Sequence, residues 1–296
     1  MIVALGDLML DITCRADAPV LDGTHRFVQA RFSAGGSAAN FAVWAARLGA
    51  EVGLISRVGQ DIVGRALLMD LRDEGVQLGV ATGTEATGFT MLVTEPGDRR
   101  SMLAARGATA ALSVDDLDWG MLDRADLLHV TAYSFFEQGP RKAALAAMKR
   151  VKDRGGLLSL DPSAHGFLQR TGARAFFALS TGVDLFFPNL EEGRTLTGER
   201  DPERVVRRLL EIFPVAALKL GPQGAFAGRG GEIVHHAGFP VEVMDTTGAG
   251  DAFAAAFIVS WLKDHDLAAA LAAGNRVAAG VVQAAGARAT AAPPSV

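Results

Sequence analysis

The sequence predicts an α/β protein: a doubly wound, mostly parallel sheet flanked by helices, with a small β lid. Three observations lead there. Short apolar runs alternate with helical patterns of about ten residues or more, the chain closes on two Ala-rich helices, and two stretches interrupt the alternation with β-like sequence. At 296 residues the chain can hold one large α/β domain and a small appendage.

The chain opens on Met1–Leu10, where IVALGDLML reads as a buried strand. Similar runs recur at Val52–Ser56, Leu127–Val130, Leu157–Leu160, Leu185–Phe187 and Ala216–Leu220. Helical patterns lie between them at Ala38–Leu48, Gly64–Glu74, Arg141–Arg154 and Glu203–Phe213. Ala252–Lys263 and Asp266–Ala285 read as two further helices packed on the sheet. The interruptions, Ile12–Phe32 and Thr87–Leu103, carry FVQARF, GFTMLVTE and RRSMLAA around turn residues such as Pro96-Gly97-Asp98. They are either two long loops or, as preferred here, one β lid. The expected division is then a core of residues 1–11, 33–86 and 104–296, with residues 12–32 and 87–103 closing over a site at the carboxyl ends of the strands. The Ala/Pro tail Ala289–Val296 reads as frayed.

Composition narrows the function. A hydrophobic fraction of 49% and a charged fraction of 21% are those of a globular protein, and a net charge of −4 offers no footprint for nucleic acid. The single cysteine, Cys14, excludes an internal disulfide and fits a reducing cytoplasm. The first residues lack a basic region and are broken by Asp7 and Asp11, so no signal peptide is expected. No long charge-free apolar run suggests a membrane span.

The chemistry centres on Asp245–Phe257, DTTGAGDAFAAAF. Gly248, Ala249 and Gly250 run into a helix start, whose free N–H groups and dipole make an anion site. A carboxylate at the same place, Asp251, competes with an anion for those amides unless it serves another purpose. It makes sense as a base that takes the proton of a nucleophile while the amides hold charge developing on a transferring phosphoryl group. Its plain alternative is a helix cap. Elsewhere, Ser33–Asn40 reads SAGGSAAN, with Gly35-Gly36 allowing close backbone approach ahead of a helix that carries Asn40. Asp11 closes the first apolar run, and charged residues at strand ends are commonly functional in open α/β sheets, whereas Asp7 reads as a turn residue. Asn189 and Glu192 follow the run DLFF with the spacing of a capping box. Lys219 and the glycines Gly221 and Gly224 follow another strand and read by themselves as a β-turn.

Asp245 to Asp251, SAGGSAAN, N-x-x-E and G-x-x-G occur in an order that resembles the ribokinase-like sugar kinases, the phosphofructokinase-B family, across essentially the whole chain. The resemblance implies sugar-hydroxyl contacts from Asp11, Gly35, Gly36 and Asn40. It implies a nucleotide side lined by Asn189, Lys219, Gly221, Gly224 and Asn275, and Mg²⁺ held through water near Glu192. It further implies a K⁺ site at Asp245 with carbonyls of Ala285–Arg288. Relatives that phosphorylate 2-keto-3-deoxygluconate tend to carry an arginine shortly after the Asp-Pro that here is Asp161-Pro162; none stands there, which leaves Arg106 as the cation on the substrate side and moves neutral sugars and nucleosides ahead of sugar acids. The expectation is a cytoplasmic, ATP- and Mg²⁺-dependent kinase for a ribose-, fructose- or keto-sugar-like substrate, forming a homodimer through the lid and contacting neither nucleic acid nor membrane. The rivals are a nucleoside kinase, for which Phe27, Phe32 and Phe89 could sandwich a base, and a sugar-sensing protein that lost catalysis. A nicotinamide dehydrogenase needs G-x-G-x-x-G after the first strand, which is missing.

Overall fold

A computed structural model describes residues 1–19, 25, 27–97 and 99–289. The frayed tail expected beyond Ala289, part of the first lid segment, and Asp98 of the expected turn lie outside the described residues. The strands are β1 (Ile2–Leu5), β2 (Met9–Arg15), β3 (Gln29–Gly35), β4 (Val52–Gly59), β5 (Gln77–Gly83), β6 (Thr87–Glu95) and β7 (Arg99–Gly107). They continue with β8 (Leu127–Thr131), β9 (Leu157–Asp161), β10 (Leu185–Phe186), β11 (Val215–Lys219), β12 (Ala225–Arg229) and β13 (Glu232–His236). The helices are α1 (Ser37–Arg47), α2 (Ile62–Asp73), α3 (Trp119–Asp123), α4 (Gln138–Asp153) and α5 (His165–Thr171). After them come α6 (Ala173–Leu179), α7 (Leu190–Thr197), α8 (Pro202–Leu209), α9 (Ala249–Asp264) and α10 (Leu267–Val281).

The large sheet runs β13-β12-β11-β10-β9-β8-β1-β4-β5, parallel except for the β11–β12–β13 meander at one edge. Its central strands are mostly apolar and buried along nearly their whole length because helices cover both faces. One face buries Phe41, Phe187, Phe253, Phe257 and Trp261 beneath α1, α9 and α10; the other buries Phe135, Met148, Phe176, Phe186 and Phe213 beneath α3–α8. Phe187 meets Phe257 edge-on at 5.2 Å and Phe186 stacks on Phe213 at 4.2 Å, arrangements that add to simple burial. Because α9 is buried by neighbours on several sides, it is apolar around most of its circumference and shows no clear stripe. Among the described residues no helix is long and apolar enough to cross a membrane.

The smaller sheet runs β3-β2-β6-β7. Here one expectation is corrected. Met1–Leu10 holds two strands: β1 is buried at every position, whereas β2 starts at Met9 in the second sheet and is mostly half-buried or exposed. Asp11 therefore sits inside β2, and Asp7 is the acid that follows the core strand. The sheet edges β5 and β12–β13 also appear where no strand was expected. Since β1 leads into β2 and β3 leads into α1, the second sheet springs from the rim where the core strands end.

Candidate active site

Helix α9 begins after Gly248, whose φ of 76° is left-handed. A Cβ there would lie 2.5 Å from the Cβ of Ala287 and 2.7 Å from its Cα, so both conformation and space require glycine. No side chain caps this helix. Asp251, in its first turn, reaches across to α1 instead: Ser37 Oγ donates to Oδ1 at 2.6 Å and Asn40 Nδ2 to Oδ2 at 3.0 Å. A simple capping role is thus not what its side chain performs. Burial pushes the Asp251 carboxyl up to about 6; the bonds from Ser37 and Asn40 and the charge of Lys219 pull the other way, and Asp161 adds to the rise.

Asp251 opens onto a cleft of about 230 Å³ shared with Asp161, Glu192, Lys219, Tyr133 and Ser163. Lys219 at the end of β11 pairs with Asp161 at the end of β9, Nζ to Oδ2 at 2.5 Å. Burial penalises the ammonium, but Asp161 and Glu192 outweigh it and hold Lys219 above the ordinary lysine range. Asn189 and Glu192 form the expected capping box, with the Asn189 N–H donating to Glu192 Oε2 at 2.8 Å and the Glu192 N–H to Asn189 Oδ1 at 2.9 Å. Burial, then the neighbouring Asp161 charge, raise the Glu192 carboxyl to about 7. Three acids against one lysine leave the cleft short of positive charge. Among the described residues no cluster of three or more His, Cys, Asp or Glu could enclose a metal. One or two carboxylates completed by waters and phosphates are what Mg²⁺ prefers, so Glu192 fits that ion.

On the other side of Asp251, Gly35 packs directly against the Asp11 carboxylate, which a side chain at 35 would overlap. Gly36, with φ 95°, lies against the Asp7 carbonyl. Burial raises Asp11 to about 6, with Arg288 lowering it and Asp245 raising it. Asn40 uses both ends of its amide, since Oδ1 accepts from Arg288 Nε at 2.9 Å. Arg106, expected as a cation for substrate, is held by Asp7 (2.6 Å) and Glu137 and lies over the Phe136 ring. Its charge is already shared between two carboxylates.

Gly221–Gln223 forms a 3-10 turn after β11, closed by Gly224 against the end of β13. Asn275 of α10 donates to the His236 carbonyl at 3.1 Å and so ties the helix to that strand. Asp245 accepts from Thr247 N–H (3.0 Å) and Oγ (2.7 Å), and from the Gly286 N–H at 2.9 Å. It joins the loop before α9 to the segment after α10. Ser37, Tyr133, Asp161 and Ser163 were not singled out as site residues. The signal for the last three was their place at or just after the ends of β8 and β9. Tyr133 is the single tyrosine, and burial, with Asp251 and Asp7 nearby, pushes it up to about 12, so it remains a donor.

The sequence profile of the pfkB family carbohydrate kinases matches residues 1–293. An ATP-dependent ribose-1-phosphate kinase of Halopiger xanaduensis is 32% identical over 280 residues, covering 91% of this chain and 88% of its own. A fructokinase of Escherichia coli is 28% identical over 264 residues, 86% of this chain and 82% of its own. The Escherichia coli protein described as ribokinase II, solved in complex with ATP and Mg²⁺, superposes with a TM-score of 0.87 at 27% identity over 97% of this chain and 94% of that one. The chain belongs to the pfkB family of carbohydrate kinases, phosphotransferases that use an alcohol group as acceptor.

Proposed function

We propose that the protein transfers the γ-phosphoryl group of ATP to a hydroxyl of a small neutral sugar of the ribose, fructose or keto-sugar class, with Asp251 as general base. The observation behind this is the seat of Asp251: a half-buried carboxylate, aimed by Ser37 and Asn40, in the uncapped first turn of α9. Each of its oxygens accepts one hydrogen bond and keeps a lone pair for the sugar hydroxyl. As the hydroxyl oxygen bonds to phosphorus and the bond to the ADP oxygen breaks, the hydroxyl proton passes to Asp251. The amides of Gly248, Ala249 and Gly250 face the charge that develops, although the Ala249 N–H also has the Thr246 carbonyl at 3.3 Å.

In this reading Asp11, Asn40 and the backbone of Gly35 and Gly36 hold the sugar, with Arg106 bordering it. Neutral sugars are favoured because Arg106 is already neutralised by Asp7 and Glu137. Asn189, Lys219, Gly221, Gly224 and Asn275 line the nucleotide side. Glu192 would hold Mg²⁺ through water, and the ion would there offset negative charge on the phosphate oxygens. Asp245 and the carbonyls of residues 285–288 would seat K⁺, a role supported by the Asp245–Gly286 bond that brings the two segments together. The four-stranded sheet acts as a lid that excludes water. Its exposed Phe32, Met102 and Leu103 support pairing with a second copy.

The test is an ATP-consumption screen over fructose, ribose, ribose 1-phosphate, 2-keto-3-deoxygluconate, tagatose 6-phosphate and nucleosides. Saturable ADP release with a neutral sugar is expected. Release with nucleosides alone redirects the site to a base, and release with none removes the reading in favour of a sensor.

A further inference from the structure

Arg288 lies after α10, in a segment docked along α1. Trp44 Nε1 donates to the Ala287 carbonyl at 3.0 Å and Arg47 Nη1 to the Arg288 carbonyl at 2.8 Å. The Arg288 side chain is only 8% exposed, and each guanidinium nitrogen meets an acceptor from a different element. Nε donates to Asn40 Oδ1 of α1 at 2.9 Å, Nη1 to Asp70 Oδ2 of α2 at 2.5 Å, and Nη2 to the Gly35 carbonyl of β3 at 3.3 Å.

Guanidinium only donates, so the Asn40 atom that faces it must be the carbonyl oxygen. The amide nitrogen then points the opposite way, onto Asp251 Oδ2 at 3.0 Å. The flipped amide would set two donors against each other at Arg288 and turn an oxygen toward the Asp251 carboxylate. We propose that Arg288 is a positioning residue for phosphoryl transfer, fixing the orientation of Asn40 and, through it, aiming Asp251 and keeping it ionised. This rests on the reading of Asp251 as the base. Arg288 does not touch Asp251 itself, and its influence passes through one amide.

Asp251 is faced by Ser37 and Asn40 of α1, Asp161 of β9, Lys219 of β11, Tyr133 after β8 and Glu192 across the cleft. Lys219 and the two donors favour its charged form, and Asp161 opposes it. With the Asn40 donor no longer fixed, the balance moves toward the protonated acid.

The test titrates the Asp251 carboxyl by ¹³C NMR in protein labelled at aspartate, with Asp251→Asn identifying the signal and no sugar or nucleotide present. In Arg288→Lys, one point charge cannot serve three acceptors. Its Asp251 midpoint is expected to rise by on the order of half to one pH unit, in line with the loss of one hydrogen bond to a carboxylate. The acid limb of kcat/KM should move up with it and kcat fall by up to roughly a hundredfold, with the nucleotide KM unchanged. In an Asn40→Ala background the same substitution should add no further shift. An unmoved midpoint in Arg288→Lys, or an equal shift with and without Asn40, overturns the proposal. Should Arg288→Lys fold poorly, Asp70→Ala removes the acceptor on the outer side of the guanidinium and should shift the midpoint in the same direction; no shift there counts against it. Failure of the kinase reading would show separately, as a wild-type protein that titrates normally but consumes no ATP.

Discussion

Replacing Asp251 by asparagine removes the proposed base while leaving its hydrogen bonds one consistent arrangement. The new amide oxygen can accept from Asn40 Nδ2, and its NH₂ group can face Ser37, whose hydroxyl turns to accept. Turnover should therefore fall by about 10²–10⁴, the loss of a general base, equivalent to about 3–5 kcal/mol of barrier. Stability should change in the opposite direction. Burial lifts Asp251 from 3.8 to about 6, so the folded chain holds this proton more tightly than the unfolded one. A raised folded-state value contributes stability that is complete below the unfolded value and is lost as pH rises toward and through the folded one. Above that window the ionised carboxylate costs up to about 3 kcal/mol, which the amide does not. Asp251→Asn should melt above wild type at pH 8, with the gap closing as pH falls toward 4. Wild-type kcat/KM should lose its plateau near pH 6 and stand at about a tenth of it at pH 5. Coupled ADP-release assays and thermal melts across this range measure both halves. Turnover within a few fold of wild type, or a variant that melts lower at pH 8, refutes the assignment.

Asp11→Ala should raise the sugar KM by about ten- to a hundredfold through lost charge-assisted hydrogen bonds, while the nucleotide KM stays within a factor of about two; steady-state kinetics in both substrates would reveal the reverse pattern if the half-sites were interchanged. Gly248→Ala should abolish most activity and lower the melting temperature, because a left-handed φ costs about 1–2 kcal/mol before the overlap with Ala287 is counted; an active variant of wild-type stability would remove the backbone requirement. Activity in K⁺ buffer should exceed that in Na⁺ or Tris at equal ionic strength if Asp245 helps seat a monovalent cation, and equal rates discard that site. Phe257→Ala, at a fully buried position against Phe187, should cost about 3–5 kcal/mol in chemical denaturation.

What the sequence makes legible follows from how local the physical cause is. Central parallel strands are buried on both faces, so they appear as unbroken apolar runs, and the helices between them repeat on their own period. The break at Gly6–Leu8 is harder to see: only Gly6 and Asp7 interrupt an otherwise apolar run as the chain passes from one sheet to the other, and the change from the fully buried β1 to the partly exposed β2 shows only in the structure. Edge strand β5, QLGVATG, and the β12–β13 hairpin lack a continuous apolar signature because an edge is only partly covered. At the site, Gly248–Asp251 is visible because glycines and acid are neighbours in sequence. Lys219–Asp161 spans 58 residues and Asn40–Arg288 spans 248, so no local pattern encodes either contact. Arg106 shows the limit most clearly. The sequence offers a cation in the right region, but the two acids that neutralise it stand 99 and 31 residues away.

The charge arrangement also explains why an Ala-Gly turn, and not a lysine-rich loop, lies beside Asp251. A base next to ATP must stay basic enough to take a proton, and every fixed cation within a few ångströms lowers that basicity. Neutral amides stabilise charge on a transferring phosphoryl group with less effect on the carboxylate's proton affinity, since they carry partial and not full charges. The one nearby lysine is committed to Asp161, with Glu192 as a further acid partner, which limits how far Lys219 depresses Asp251. Burial then supplies the upward shift that a solvated aspartate would lack. In the proposed role, approach of the nucleotide's negative phosphates would raise the proton affinity of Asp251 further, at the moment a sugar hydroxyl has to be deprotonated. A base at this position would thus gain strength from the substrate it acts beside.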